Sequence, residues 1–366
     1  MKALIQTDYG DPGRVLELHD VPDATAGAGQ VVIDLEAAVV HAADARTVLG
    51  TEGFRKKLPR TPGYEGVGRI SQLGPGVKGL NLGTRVFAPL GAGTYRERVA
   101  VSAEGLIQAP EGDAVQVALL SLSPAIALLL MQDFVKLAPD DWVVQNAANS
   151  PVGRMVIQLA RELKVRVVNV VKSSPVIPEL KEIGAGAVLL DTEDLRDRVV
   201  AVTQGAPIRL ALDAVGGDAT TRLANCLAED GTVVNYGAMS GQPCQLPSEM
   251  LGTRGIRLCG VNPARQLARH KPEARQAIYS RIGKLLAARR LQARIAATYD
   301  LAHAIEAIQH ALTIGDKRFG KVVIHIKDIP PPAPAAEKES PAHSVVSAIV
   351  EDVPLEEVVA EIESVG

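Results

Sequence analysis

The run Val143 to Pro175, VVQNAANSPVGRMVIQLARELKVRVVNVVKSSP, reads as a strand, a short polar loop, a helix and a second strand. The alternation continues along the chain, with GAVLLD, IRLALDAV, GTVVNYG and IRLCGV separated by helical patterns, so that it spans about Asp113 to Cys259. Uninterrupted apolar strands alternating with helices imply a parallel sheet covered on both faces. The fold class is therefore α/β, with a doubly wound sheet of the kind that binds dinucleotides.

The loop of the first unit tests that reading, because most of its glycines are missing. On the frame G-x-G-x-x-G the chain places Ala148, Ser150 and Gly153, so only the glycine that packs helix against strand survives. The start of the helix is nevertheless intact. Ser150 can cap it and Pro151 suits the first helical position, where no amide hydrogen bond is lost. Val152, Met155, Val156, Leu159, Ala160 and Leu163 then recur at helical spacing and supply an apolar face for the sheet. A phosphate can rest on such a helix N-terminus through free amides and the positive end of the dipole. After VRVVNVV come Lys172, Ser173 and Ser174, where a site for NAD would place a carboxylate. A cation and two hydroxyls suit a 2′-phosphate and favour NADPH; the plain alternative is a solvated strand end.

Residues up to about Ala109 differ in texture. Short runs such as QVVIDLEAAVV, GVGRISQLG, TRVFAPLG and YRERVAVS are divided by glycine and proline, which describes a small, mostly β, barrel-like domain. Four segments are expected: residues 1–112 as the first part of the barrel, 113–262 as the dinucleotide-binding domain, 263–327 as a return to the barrel, and 328–366 as a tail. The tail opens with the proline- and alanine-rich KDIPPPAPAAEKESPAHS, which reads as an extended linker.

Composition narrows the partners. With 39 basic and 42 acidic residues the chain presents no basic field, so nucleic acid is not expected, and a small molecule is the natural ligand. The N-terminal stretch lacks the build of a secretory signal, and the most apolar window, VALLSLSPAIALLLM, is too short and interrupted for a membrane span. A cytoplasmic protein with no membrane partner is expected. Cys226, Cys244 and Cys259 form no disulfide framework, and seven histidines without ligand spacing give zinc no support.

The stretch VVQNAANSPVGRMVIQLARELKVRVVNVVKSS, together with PGYEGVGRI, GAGTYRERVAVSAEGLIQAP, ALDAVGG, VVNYGAMSGQP and FGKVVIHI in that order, resembles the zinc-independent medium-chain dehydrogenase/reductase superfamily. Within it the chain is similar to the mitochondrial-type 2-enoyl thioester reductases over roughly residues 1 to 326. The resemblance implies a GroES-like barrel with an inserted Rossmann domain, a cleft between them, and a homodimer joined sheet to sheet. It implies cofactor contacts from Asn149, Ser150, Pro151, Val152, Gly153, Lys172, Ser173, Tyr236, Gly237, Met239 and Lys321. Zinc-dependent relatives use a cysteine near VVHAAD and a histidine in PGHE; here Val40 or His41, and Tyr64, stand there, so no metal is expected.

Three places depart from the enoyl reductase pattern. The catalytic tyrosine of a Gly-x-Tyr-Gly stretch is matched by GTEG, which puts Glu52 there. An Asn-Pro-x-Thr-Ala run is matched by SPAIA, with Ser123 and Ile126 in the polar places, and a Phe-Trp pair by Val261-Asn262. Ile126 and Asn262, with Tyr95 as a wall, are the expected substrate-pocket residues. Alkene reduction requires hydride at the β-carbon, an electrophile at the carbonyl oxygen and a proton at the α-carbon. Glu52 could serve only if burial keeps it protonated. Tyr64, by its place near the nicotinamide, either polarises a carbonyl and donates a proton or packs between the domains. The expected function is NADPH-dependent reduction of an α,β-unsaturated thioester or enone with an atypical site. The alternatives are a quinone oxidoreductase and a degenerate reductase homologue serving as a binding partner.

The tail carries one more signal. Pro354 can open a helix in which Leu355, Val358, Val359, Ile362 and Val365 share a face, with glutamates mostly elsewhere. Such a helix packs on its own protein or docks on a basic, apolar groove of a protein partner.

Overall fold

The computed structural model describes residues 1–51, 55–313 and 320–329, so Glu52 and the tail helix both lie outside the described residues. The spine of the barrel is the strand Gln30–Val40. It pairs antiparallel with Glu65–Leu73, Arg98–Ser102 and Lys321–His325. Register shifts at Val32/Ile33 and Leu35/Ala37 break its alternation. The first leaves Ser71 as the extra residue on the partner strand and the second leaves Glu36 on the spine itself; Val31, Ile33 and Leu35 face one core, and Ala37 and Val39 another. Arg85–Phe87 continues the sheet at one side, and Ile295–Asp300, parallel to Lys321–His325, closes the other. The chain thus leaves the barrel and comes back to complete it. A buried carboxylate pins the middle: Arg85 grips Glu36 with Nε at 2.6 Å and Nη2 at 2.8 Å, a two-pronged bond that satisfies both oxygens.

The second sheet is parallel throughout, in the order Arg257–Gly260, Thr232–Asn235, Ile208–Asp213, Trp142–Gln145, Arg166–Val171, Ala187–Leu190. Numbered by first appearance this is 6-5-4-1-2-3, the doubly wound Rossmann order. The direction of winding reverses between Trp142–Gln145 and Ile208–Asp213, and a crevice opens there at the carboxyl ends of the strands. The apolar window noted in the sequence is a helix, Ser123–Gln132, buried from Ser123 to Met131. It packs between the helix Pro151–Glu162 and the helix Pro272–Ala287. No described helix is long and apolar enough to cross a membrane.

One carboxylate braces the crevice. Asp213 is fully buried. Its Oδ1 accepts from Asn146 Nδ2 at 2.6 Å and from the amides of Val215 and Gly216 at 2.9 and 3.0 Å. Its Oδ2 accepts from Thr220 Oγ1 at 2.7 Å and Asn235 Nδ2 at 3.0 Å. Burial alone would raise its pKa, but the bonds from Asn146, Thr220, Gly216 and Asn235 together hold it below the usual carboxylate value. A lowered folded pKa adds stability that is complete above the unfolded value and is lost as pH falls through the folded one. Asp213→Asn should therefore lower stability by about 3 kcal/mol at neutral pH, because it removes the charge and sets an amide donor against the donors that one carboxylate oxygen now accepts. The gap to the parent protein should shrink below about pH 4. Urea unfolding of both proteins across that range checks it, and a gap independent of pH would contradict the charge account.

Candidate active site

A cavity of about 660 Å³ lies between the barrel and the parallel sheet. Its Rossmann wall is the loop Asn149-Ser150-Pro151, the strand end Lys172-Ser173, and Met239. Its barrel wall includes Ala42, Arg46, Gly320 and Lys321, and Leu119 with Ser123 line it where the two halves meet. Among the described residues, five cations, Arg46, Arg154, Lys172, Arg294 and Lys321, line it with one carboxylate, Glu179. Glu179 pairs with Arg154 at 2.8 Å and with Arg294.

The cradle is formed without the missing glycines. Ser150 caps the helix Pro151–Glu162, its Oγ accepting from the Gly153 amide at 3.1 Å. Ala147 takes the left-handed turn with φ 46, a conformation in which an alanine is strained and a glycine would not be. Gly153 has no such freedom to lose. A Cβ there would lie 2.7 Å from Ala147 O and 2.8 Å from Ala148 Cα, so glycine is required for helix and loop to approach. Gly237 plays the same part at the next loop, where a Cβ would lie 2.6 Å from Ala214 O.

The other expected cofactor residues divide by position. Val152 faces the apolar core, and Tyr236 packs against the same core. The buried Tyr236 hydroxyl has Ser150 as its neighbour and no well-formed hydrogen bond, and burial pushes its phenol above the ordinary value. Tyr236 is not among the residues that line the cavity. Lys321 Nζ lies 2.9 Å from His41 Nδ1.

Tyr64 is half-buried and stands outside the cavity lining, its ring edge-on to His41 at 6.2 Å between centroids. Burial, then the negative charges of Asp44 and Glu65, raise its phenol, so it carries its proton at neutral pH. Tyr95 is not at the cavity wall. It is fully buried, its hydroxyl 3.1 Å from Asp44 Oδ2 and 3.2 Å from Val39 O, because the buried Asp44 needs donors beneath the helix Ala42–Leu49. Ile126 faces the core from the first turn of its helix, and Asn262 caps the helix Pro263–Ala268 by accepting from the Arg265 amide at 3.0 Å. Neither lines the cavity. Arg46, Arg154, Glu179 and Arg294 were not singled out from the sequence. Of these only Arg154, in the first turn of the cradle helix, had a signal.

Among the described residues no three His, Cys, Asp or Glu side chains gather into a group that could hold a metal.

Comparison with known proteins places this architecture. Residues 27–111 match the alcohol dehydrogenase GroES-like domain, and residues 151–276 match the zinc-binding dehydrogenase family. The human mitochondrial enoyl-[acyl-carrier-protein] reductase is 36% identical over 280 residues, which cover 75% of each chain. The native structure of a mycobacterial quinone oxidoreductase is 26% identical with a TM-score of 0.81, covering 89% of this chain and 99% of that one. A mycobacterial structure complexed with NADPH is 26% identical with a TM-score of 0.76, covering 89% of this chain and 100% of that one. The chain belongs to the medium-chain dehydrogenase/reductase superfamily, as an enoyl reductase-like oxidoreductase.

Proposed function

We propose that the protein is an NADPH-dependent reductase of an α,β-unsaturated thioester or a related enone. One observation carries the reading: a cavity at the switch point of the parallel sheet brings a helix N-terminus, the loop Asn149-Ser150-Pro151, together with the strand end Lys172-Ser173 and with Lys321 from the barrel. That chemistry suits a dinucleotide with a 2′-phosphate. Asn149, Ser150, Pro151 and Lys321 would hold its phosphates, Lys172 and Ser173 the 2′-phosphate, and Gly237 and Met239 its nicotinamide half. Bound there, NADPH supplies the hydride. The chain's own part is to exclude water with the Leu119 and Met239 surfaces and to provide a proton, for which protonated Tyr64 is our candidate and Glu52 the second.

The reading divides the chain as expected, with barrel residues 1–112 and 263–327 around a cofactor domain of 113–262. A homodimer would form through the edge strand Arg257–Gly260, where Leu258 is 38% exposed. The three free cysteines suit a reducing compartment, for which we propose the cytoplasm.

The likeness to a quinone oxidoreductase favours a second reading, in which the same cofactor reduces a quinone and enolate stabilisation matters less. NADPH oxidation against crotonyl thioesters, simple enones and quinones separates the two. Turnover of none would leave a degenerate homologue that binds without reacting. Purified protein should contain no stoichiometric zinc, and chelators should leave its activity unchanged, because Val40 or His41, and Tyr64, stand where the zinc-dependent relatives place ligands, and no cluster of cysteines and histidines has ligand spacing. One zinc per chain by elemental analysis would contradict this.

A further inference from the structure

Lys321 reaches the cavity from a strand of the barrel, and three further side chains stand in line behind it. Its Nζ is 2.9 Å from His41 Nδ1. On the other side of the ring His41 Nε2 is 2.7 Å from Glu65 Oε2. Glu65 Oε1 in turn accepts from Ser121 Oγ at 2.5 Å. The line runs inward from the cavity, since the His41 side chain is 12% exposed and that of Glu65 2%. The donor inventory assigns the protons. An ammonium has only donors, so Nδ1 must present its lone pair; the ring proton then sits on Nε2 and donates to the Glu65 carboxylate. The His41 side chain also faces the Asp44 amide, in the capping box that opens the helix Ala42–Leu49.

We propose that His41, held by Glu65 and Ser121, is a positioning residue that fixes the Lys321 ammonium for a phosphate of the dinucleotide, an inference that rests on the cofactor reading above. A lysine stem has four rotatable bonds, and its rotamer entropy is lost when its head is fixed. An acceptor already in place at 2.9 Å removes much of that freedom before the ligand arrives. The ammonium has three donors, so a bond to His41 does not by itself exhaust its capacity to donate. The neutral ring also separates Lys321 from the Glu65 carboxylate, which in direct contact would draw the ammonium inward. The cradle Asn149-Ser150-Pro151 lines the same cavity, so a phosphate seated on that helix N-terminus meets its counter-charge from the barrel side. Lys172 acts from the Rossmann wall and would distinguish NADPH from NADH; Lys321 faces a group that both nucleotides carry.

The test is a fluorescence titration of the full chain with NADPH and with NADH, for the parent protein, His41→Ala, His41→Asn, Lys321→Met and the double variant His41→Ala/Lys321→Met. His41→Ala should weaken both nucleotides by a similar factor, about tenfold. His41→Asn, which keeps an acceptor near the place of Nδ1, should recover most of that loss. The double variant should bind no more weakly than Lys321→Met alone, because removing the guide of an absent ammonium costs nothing more. A His41→Ala protein that binds like the parent would overturn the inference. So would losses that multiply in the double variant, or an Asn variant as weak as Ala. If His41→Ala melts below the assay temperature, the other arms decide: parent-like affinity in Lys321→Met overturns the proposal, as does a His41→Asn protein as weak as Lys321→Met. A parent protein that binds neither nucleotide overturns the cofactor reading and this inference with it.

Discussion

Lys172→Glu should reverse the nucleotide preference, weakening NADPH by about a hundredfold or more while leaving NADH nearly unchanged or tighter. The change replaces a charge-assisted bond to the 2′-phosphate, worth about 1.5 to 3 kcal/mol, with repulsion between like charges. It also supplies the carboxylate that NAD sites place at the end of this strand to hold the ribose hydroxyls. Lys172 is exposed at the end of Arg166–Val171 and lines the cavity, so the substitution disturbs no packed core. Direct titration of both nucleotides into both proteins checks the result. Equal affinities in the parent protein would sink the assignment of Lys172.

Tyr64→Phe should lower turnover by about two orders of magnitude with little change in NADPH affinity. Phenylalanine keeps the ring that stands edge-on to His41, so a fall in rate would report the lost hydroxyl rather than lost packing. The phenol is held protonated by burial and by Asp44 and Glu65, which suits a donor and not a base. Steady-state kinetics with saturating NADPH reads the effect. Near-normal turnover would return Tyr64 to a packing role and turn attention to Glu52.

The alternation of apolar strands and helices made the parallel sheet legible, because strands buried on both faces are mostly apolar and betray themselves as runs. The cradle was legible for a different reason: Ser150 and Pro151 are helix-start residues whatever the tertiary fold, and Ser150 does take the Gly153 amide. What the sequence could not show is contact across distance. His41 and Lys321 are 280 residues apart, and Glu65 and Ser121 are 56 apart, so no local pattern announces their line. Tyr95 illustrates the converse. The stretch GTYRERV reads as a wall by its place in the order of motifs, yet the phenol is drawn under the helix Ala42–Leu49 by a buried carboxylate that periodicity does not mark. The left-handed Ala147 was invisible as well, since alanine is not a residue that signals a turn.

The central claim is hydride transfer from NADPH to a conjugated thioester, and isotope transfer reads it without reliance on any single residue. The parent protein, incubated with crotonyl thioester and NADPH carrying deuterium in both C4 positions of the nicotinamide, should yield a saturated acyl chain carrying one deuterium at the β-carbon, seen by mass spectrometry and NMR. Saturated product without deuterium, or NADPH oxidised only when a quinone is present, would contradict it.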